Sequence, residues 1–105
     1  MTFQSTFAFL KASLGKSITI KGHFSKIPWQ HLMAPTKEYP YDYYFDLEDG
    51  FQIVVYSKTA LKEIFTPVEL TGKVILVEGQ LKRPIPSKGE DFTEYHLLIE
   101  KIEKM

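Results

Sequence analysis

The amino-acid sequence predicts a mainly β fold in which five short strands, a long loop and two short helices form a single domain, residues 1–105. The chain has 105 residues, a usual length for one globular domain. Short segments that alternate apolar with polar side chains predict the strands, because successive residues of a strand point to opposite faces. Gly and Pro residues between these segments mark the turns. A chain of this length buries roughly two-thirds of the surface it exposes when unfolded, so its core requires no disulfide and no structural metal.

The charge balance and the lack of cysteine exclude several classes of protein. The chain has 13 Lys and Arg residues against 13 Asp and Glu residues, for a net charge of +0. This balance excludes a strongly cationic chromatin-type protein, and a polyanionic partner must therefore be met by a local patch. With 0 cysteines, the chain forms no disulfide, no Cys-ligated zinc site and no iron–sulfur cluster.

Residues 1–14 predict a helix. Apolar side chains recur in this segment at helical spacing, at Phe3, Phe7, Leu10 and Leu14. Gly15 follows and is typical of a helix C-terminus. The segment has no basic region ahead of an apolar run, as a secretory leader has, and no part of the chain approaches the about 18 apolar residues of a membrane span. We therefore expect a cytoplasmic protein that does not bind a membrane.

A first strand and a long loop follow the helix. Apolar and polar side chains alternate over Ile18–Phe24, and Gly22 within that alternation indicates a bulge or a sharp bend. The alternation stops between Ile27 and Pro40, a segment that holds three prolines and Trp29. We interpret this segment as a loop, and long loops in small domains often carry function.

The second and third strands form a tight antiparallel hairpin. Tyr41–Leu47 and Phe51–Tyr56 flank an acidic turn that ends in Gly50, which favours a hairpin. We place Asp42 and Asp46 on the outer face, because burial of unpaired carboxylates is costly. In this register the outward residues are Asp42, Tyr44 and Asp46 on strand two and Gln52, Val54 and Tyr56 on strand three.

A short helix and two strands complete the predicted order. Helical spacing is found between strands three and four, at Leu61, Ile64, Phe65 and Val68. We expect this helix to end near Phe65, before Pro67. Strands are predicted over Lys73–Leu81 and Glu94–Ile102, joined by a segment rich in Pro and Gly. Gly79, like Gly22, is expected to relieve crowding in a strongly coiled barrel strand.

This element order is that of a five-stranded OB-fold Greek-key barrel, here over residues 16–102 with the N-terminal helix in front. Three segments also resemble OB domains that bind single-stranded nucleic acid or anticodons. Ser13–Gly22 resembles the opening of the first strand, Phe45–Tyr56 the hairpin with its F-x-L-x-D-G turn, and Gly72–Leu81 the fourth strand. The resemblance implies non-enzymatic binding of single-stranded DNA or RNA across strands two and three and the flanking loops.

On this interpretation, aromatic side chains stack on bases and basic side chains pair with phosphates. The candidate stacking residues are Tyr44 and Tyr56 on the strands and Trp29 and Tyr39 in the first loop. The candidate phosphate-binding residues are Lys21, Lys82, Arg83 and Lys88. For each aromatic residue the alternative is a covering or anchoring role, and for each basic residue it is ordinary solvation. Asp42 and Asp46 on the same face repel phosphates and weaken the nucleic-acid hypothesis.

The rival hypothesis is a protein-interaction module, an adaptor or subunit in which the N-terminal helix either plugs the barrel or contacts a partner or a second copy. The three histidines, His23, His31 and His96, form no recognisable metal or catalytic motif in the sequence. We therefore expect no enzymatic activity, no metal and no cofactor. Sugar binding has no support beyond the known range of this fold.

Overall fold

The computed structural model describes residues 3–27, 31–33, 35–62, 66–79 and 92–105. Within these ranges the chain forms one helix and five strands. They are α1 (Phe3–Ala12), β1 (Ser17–Ser25), β2 (Tyr41–Leu47), β3 (Gln52–Ser57), β4 (Val68–Gly79) and β5 (Phe92–Lys104). The prediction of a mainly β domain with five strands and an N-terminal helix is confirmed. No helix in the described ranges is long and apolar enough to span a membrane.

The five strands form one sheet that closes into a barrel in the order β1-β2-β3-β5-β4. β1 pairs antiparallel with β2 through its second half and with β4 through its first half. β3 and β5 form the parallel pair of the barrel, with Val55 opposite Leu97. This pairing places β5 beside the hairpin of β2 and β3, so side chains of β5 reach the outer face of that hairpin.

Gly22 lies where β1 changes partner, opposite both Leu47 of β2 and Val68 of β4. A Cβ atom at this position would lie 2.0 Å from the backbone oxygen of Asp46. The predicted relief of crowding at Gly22 is confirmed, since any side chain would collide with the neighbouring strand, whereas the predicted bulge or bend at this residue stays a prediction.

A second crowded position is found at Gly72, which the sequence analysis did not assign. Here a Cβ atom would lie 2.2 Å from the backbone oxygen of Leu98, at the bulge where the register of β4 and β5 shifts. The surroundings of Gly79 lie outside the described part of the chain. The expected role of Gly79 stays a prediction.

The barrel interior contains one apolar cluster to which every strand contributes. Its buried members are Leu10, Ile20, Phe45, Ile53, Val55, Val68, Leu70, Val74, Leu97 and Ile99. On β2, Phe45 is fully buried and Tyr43 and Leu47 pack against the cluster, as the chosen register requires. The register predicted for the hairpin is therefore confirmed at these positions, whereas Tyr41, which the same register turns inward, is 43% exposed.

Helix α1 covers one end of the barrel through a face that differs from the predicted stripe. The buried positions are Thr6, Leu10 and Ser13, whereas Phe7 and Leu14 are 40% and 44% exposed. Of the four predicted apolar positions, Leu10 is buried, Phe7 and Leu14 are exposed, and the side chain of Phe3 lies outside the described part.

The helix predicted between the third and fourth strands is absent from residues 58–62 and 66–67, the described part of that connection. The backbone amide of Thr59 donates to the hydroxyl of Ser57 and that of Leu61 donates to Tyr43 Oη at 2.7 Å. These amides are bound by side chains and not by helical carbonyls. Val68 begins β4, so its apolar character reflects strand alternation and not a helical face. Positions 63–65 lie outside the described residues.

Candidate functional site

The outer face of β2 and β3, where the sequence predicts ligand binding, is covered by other parts of the chain. Tyr56 points away from the barrel interior as predicted, yet it is 0% exposed, and Gln52 and Val54 beside it are also buried. The prediction of Tyr56 as an exposed stacking platform is therefore wrong. The residues over this face come from the loop between β1 and β2 and from β5, as their hydrogen bonds show.

Tyr44 is half-buried because the chain supplies its own stacking partner. The ring of His31 lies on the ring of Tyr44 with centroids 5.8 Å apart and planes 29° apart. The face of Tyr44 that the sequence analysis assigned to a nucleobase is thus occupied by an imidazole of the loop.

Glu94 of β5 joins the loop to the barrel. Its Oε1 accepts hydrogen bonds from His31 Nδ1 at 2.8 Å and His96 Nε2 at 3.1 Å, and its Oε2 accepts one from the backbone amide of Leu32 at 2.8 Å. Three donors from two separate elements therefore converge on one carboxylate.

The ionised form of Glu94 is strongly favoured in this environment. Partial burial raises the pKa of its carboxyl, but the hydrogen bonds from His96, the Leu32 amide and His31 outweigh burial and lower that pKa to about 2. Glu94 is therefore a carboxylate throughout the pH range in which most proteins are folded.

Gln52 of β3 extends the polar network towards β2. Its Nε2 donates to Asp46 Oδ1 at 2.9 Å and to the backbone oxygen of Ile27 at 3.0 Å. Its Oε1 lies 2.9 Å from His31 Nε2. His31 is thus held from both ring nitrogens, by β3 on one side and β5 on the other.

The network ends at a buried aromatic pair on β3 and β5. Tyr56 Oη lies 2.8 Å from His96 Nδ1, and both side chains are fully buried. On the opposite side, His23 Nε2 lies 3.7 Å from Asp46 Oδ2. All three histidines of the chain therefore contact carboxylates of one network.

Sequence reasoning missed this network because its members are far apart along the chain. The three histidines form no motif along the sequence, because barrel closure brings most of their partners to them. The sequence signal for this network was the polar residues at outward strand positions, at Gln52, Glu94 and His96. The strand order of the barrel is needed as well, because it places β5 beside β3.

The predicted basic track is only partly within the described residues. Lys21 Nζ lies 3.6 Å from Glu69 Oε1 across β1 and β4. Tyr39 is half-buried, and Lys58 Nζ lies 5.3 Å from the centre of its ring and 3.3 Å from Glu38 Oε1. Four further predicted site residues, Trp29, Lys82, Arg83 and Lys88, lie outside the described residues.

A separate groove lies between α1, β1 and the turn that joins β2 to β3. Its volume is about 450 Å³, and its lining residues are Thr6, Phe9, Leu10, Thr19, Ile20, Lys21, Leu47, Glu48 and Asp49. The hydroxyl of Thr6 donates to Asp49, which fastens α1 to the turn beside the groove. Phe9 on the helix side is 41% exposed.

Among the described residues no group of three or more His, Cys, Asp or Glu side chains is arranged to hold a metal ion. No protein-family model matches the chain, and comparisons with curated proteins and with solved structures find no significant match. The functional assignment therefore rests on the residues of the two surfaces described above.

Proposed function

We propose that this chain is a non-enzymatic protein-interaction module whose partner binds in the groove between α1 and the turn of β2 and β3. The observation that carries this proposal is an apolar groove on the surface, with Phe9 41% exposed at its edge. Exposed apolar surface bordered by polar residues is typical of protein-binding sites. The outer face of β2 and β3 offers less, because its central residues are buried.

The partner segment is apolar and carries a Lys or Arg. Phe9, Leu47 and Ile20 supply apolar contacts, and Glu48 and Asp49 place two carboxylates at the turn end of the groove. On β1, Lys21 is neutralised by Glu69 at 3.6 Å, so the groove as a whole favours a cationic residue. An apolar anchor with one charged flank is a common arrangement in peptide recognition.

We also propose that the barrel is an OB-fold. The support is the order β1-β2-β3-β5-β4 together with the parallel pairing of β3 and β5, an arrangement typical of that fold. The helix that OB domains usually have between the third and fourth strands is not present in the described part of that connection.

Binding of single-stranded nucleic acid is the second candidate, and the strand order is what favours it. Tyr44 and Tyr39 remain half-exposed aromatics near the hairpin. The carboxylates of Asp42, Asp46 and Glu94 on or beside this face disfavour phosphates. A cytoplasmic location, predicted from the sequence, stays a prediction.

The experiment is a selection of random 12-residue peptides displayed on phage against the full chain, followed by titration of the selected peptides in solution. We expect enrichment of peptides with aromatic or aliphatic residues next to Lys or Arg. Phe9→Ser is expected to weaken binding by about tenfold or more, as for a central aromatic contact. Glu48→Lys is expected to weaken the binding of cationic peptides more than that of uncharged peptides.

The matched control is Leu76→Ser, since Leu76 on β4 is 39% exposed but lies away from the groove. Equal loss of binding in Phe9→Ser and Leu76→Ser contradicts the proposed site. Titration with oligo-dT and oligo-U at two salt concentrations tests the second candidate. If the phage selection enriches no peptide and the chain binds these oligonucleotides in a salt-dependent way that Phe9→Ser does not change, nucleic-acid binding replaces the first proposal. Analytical sedimentation of the chain tests whether a second copy occupies the groove. An apparent mass of the protein that rises with its concentration indicates that it does.

A further inference from the structure

In the described part of the loop between β1 and β2, His31 is the side chain that joins the loop to both β3 and β5. His31 contacts Gln52 of β3 and Glu94 of β5, and Leu32 adds its backbone amide to the same carboxylate. We call residues 31–33 the strap. This feature is independent of the groove and of the proposed function.

The orientation of the Gln52 amide determines which atom faces His31. Its NH2 group donates to Ile27 O and to Asp46 Oδ1, two atoms that only accept hydrogen bonds. A flipped amide would place its oxygen against both acceptors. Gln52 Oε1 is therefore the atom 2.9 Å from His31 Nε2, and His31 Nε2 must carry a proton to bond with it.

The other ring nitrogen faces a second acceptor. His31 Nδ1 lies 2.8 Å from Glu94 Oε1, which is a carboxylate oxygen and accepts only. Both nitrogens of His31 therefore donate, and an imidazole ring that donates twice is the imidazolium. Its position on the ring of Tyr44 adds a cation–π contact.

The other two histidines differ from His31 in their partners. His96 faces Glu94 through Nε2 and the Tyr56 hydroxyl through Nδ1, and a hydroxyl can donate as well as accept, so the contacts of His96 do not require a second ring proton. His23 is on the barrel surface with its side chain 55% exposed, and its contact with Asp46 is 3.7 Å. Only the strap histidine is held between two acceptors on buried strands.

We infer that His31 is a proton-dependent latch, which as an imidazolium fastens the strap over the outer face of β2 and β3 and on losing its ring proton loosens it. The neutral ring has one donor, so one of its nitrogens then points a lone pair at Glu94 or at Gln52. Gln52 does not turn to meet it without losing its bonds to Asp46 and Ile27.

Among the described residues, charged and titratable groups lie around the latch on each neighbouring strand. They are Glu94 and His96 of β5, Tyr44 and Asp46 of β2, Tyr56 of β3 and His23 of β1. Of these groups, Glu94 and Asp46 carry the carboxylates; Glu94 contacts His31 directly, and Asp46 is joined to it through Gln52. Release of the strap uncovers the face of Tyr44 on which the imidazolium lies.

The test is a pH titration of the full 15N-labelled chain by NMR, with side-chain nitrogen shifts of each histidine and hydrogen-exchange protection of the Leu32 amide. We expect both nitrogens of His31 to show imidazolium shifts at the acid end. As His31 deprotonates, the protection factor of Leu32 should fall by about tenfold, as for one lost hydrogen bond. Protection is compared after correction for intrinsic exchange.

Two variants assign the effect. His31→Gln should remove the pH step in Leu32 protection, and His23→Gln, which changes an exposed histidine of the same network, should leave the step in place. A neutral His31 tautomer at pH 6, or Leu32 protection that stays constant while His31 titrates, overturns the inference. Because the titration of the unaltered chain decides this by itself, the inference remains testable even if His31→Gln does not fold.

Discussion

Gly22 shows how one backbone position controls closure of this barrel. At Gly22 the pairing partner of β1 changes from β4 to β2. A Cβ atom at this residue would lie 2.0 Å from the backbone oxygen of Asp46. The obstacle is backbone, so a rotamer change does not relieve it.

We therefore predict that Gly22→Ala lowers the free energy of unfolding by about 3 kcal/mol or more, at the upper end for overpacked sites. Urea denaturation followed by circular dichroism measures it. The control is Gly15→Ala: Gly15 has φ 79° and nothing near its Cβ position, so only left-handed strain of roughly 1–2 kcal/mol is expected. Equal destabilisation of the two variants contradicts the role of Gly22.

Glu94 makes stability depend on acid pH. Its pKa in the folded chain is lowered to about 2, from an ordinary value of 4.5. A lowered folded-state pKa contributes stability that is fully present above 4.5 and is lost as the pH falls towards 2.

We predict that the melting temperature falls between pH 4.5 and 2, and that Glu94→Gln has a lower melting temperature at pH 7 and a smaller decrease across that window. Thermal denaturation at several pH values measures both. Glu103→Gln is the control, since Glu103 is an exposed residue of β5 paired with Lys101, and it should behave as the unaltered chain. An unchanged acid dependence in Glu94→Gln is the contrary result.

At the scale of elements, α1 is both a plug and an exposed surface. Leu10 is fully buried in the core cluster, whereas Phe9, the preceding residue of the helix, is 41% exposed at the groove. The burial of Leu10 supports the plug, one of the two alternatives that the sequence leaves open for this helix, and contact of its exposed face with a partner stays a proposal.

We predict that Leu10→Ala destabilises the chain by about 2–5 kcal/mol, as for a buried leucine replaced by alanine. Phe9→Ala is predicted to cost less than about 1 kcal/mol while weakening selected peptides. Urea denaturation separates the two. A loss of stability in Phe9→Ala as large as that in Leu10→Ala would show that the groove is part of the core and is not a binding surface.

At the scale of the molecule, barrel closure joins segments that are distant in sequence. β1 pairs with β4, and β3 pairs with β5 in parallel. Such long-range pairings require loop closure before they stabilise the chain, which slows folding.

We predict that refolding from urea takes milliseconds to seconds, as in other β barrels of this size. Stopped-flow fluorescence measures the rate. Refolding in microseconds, as in helical bundles, is incompatible with closure as the limiting step. Gly15→Ala, which leaves the barrel pairings in place, is expected to refold on the same timescale.

Local patterns in the sequence were enough to predict the alternating strands, the hairpin register and the crowding at Gly22, because strand period and glycine sterics are local properties. The helix between β3 and β4 was predicted wrongly in residues 58–62, where side chains bind the backbone amides of Thr59 and Leu61, and Val68 of the predicted helical spacing belongs to β4. Three features could be seen only in the tertiary structure: the burial of Tyr56, the stacking of His31 on Tyr44 and the position of Glu94. Each depends on β5 and the strap reaching the outer face of β2 and β3, and a local pattern contains no information about contacts between residues so far apart in the chain.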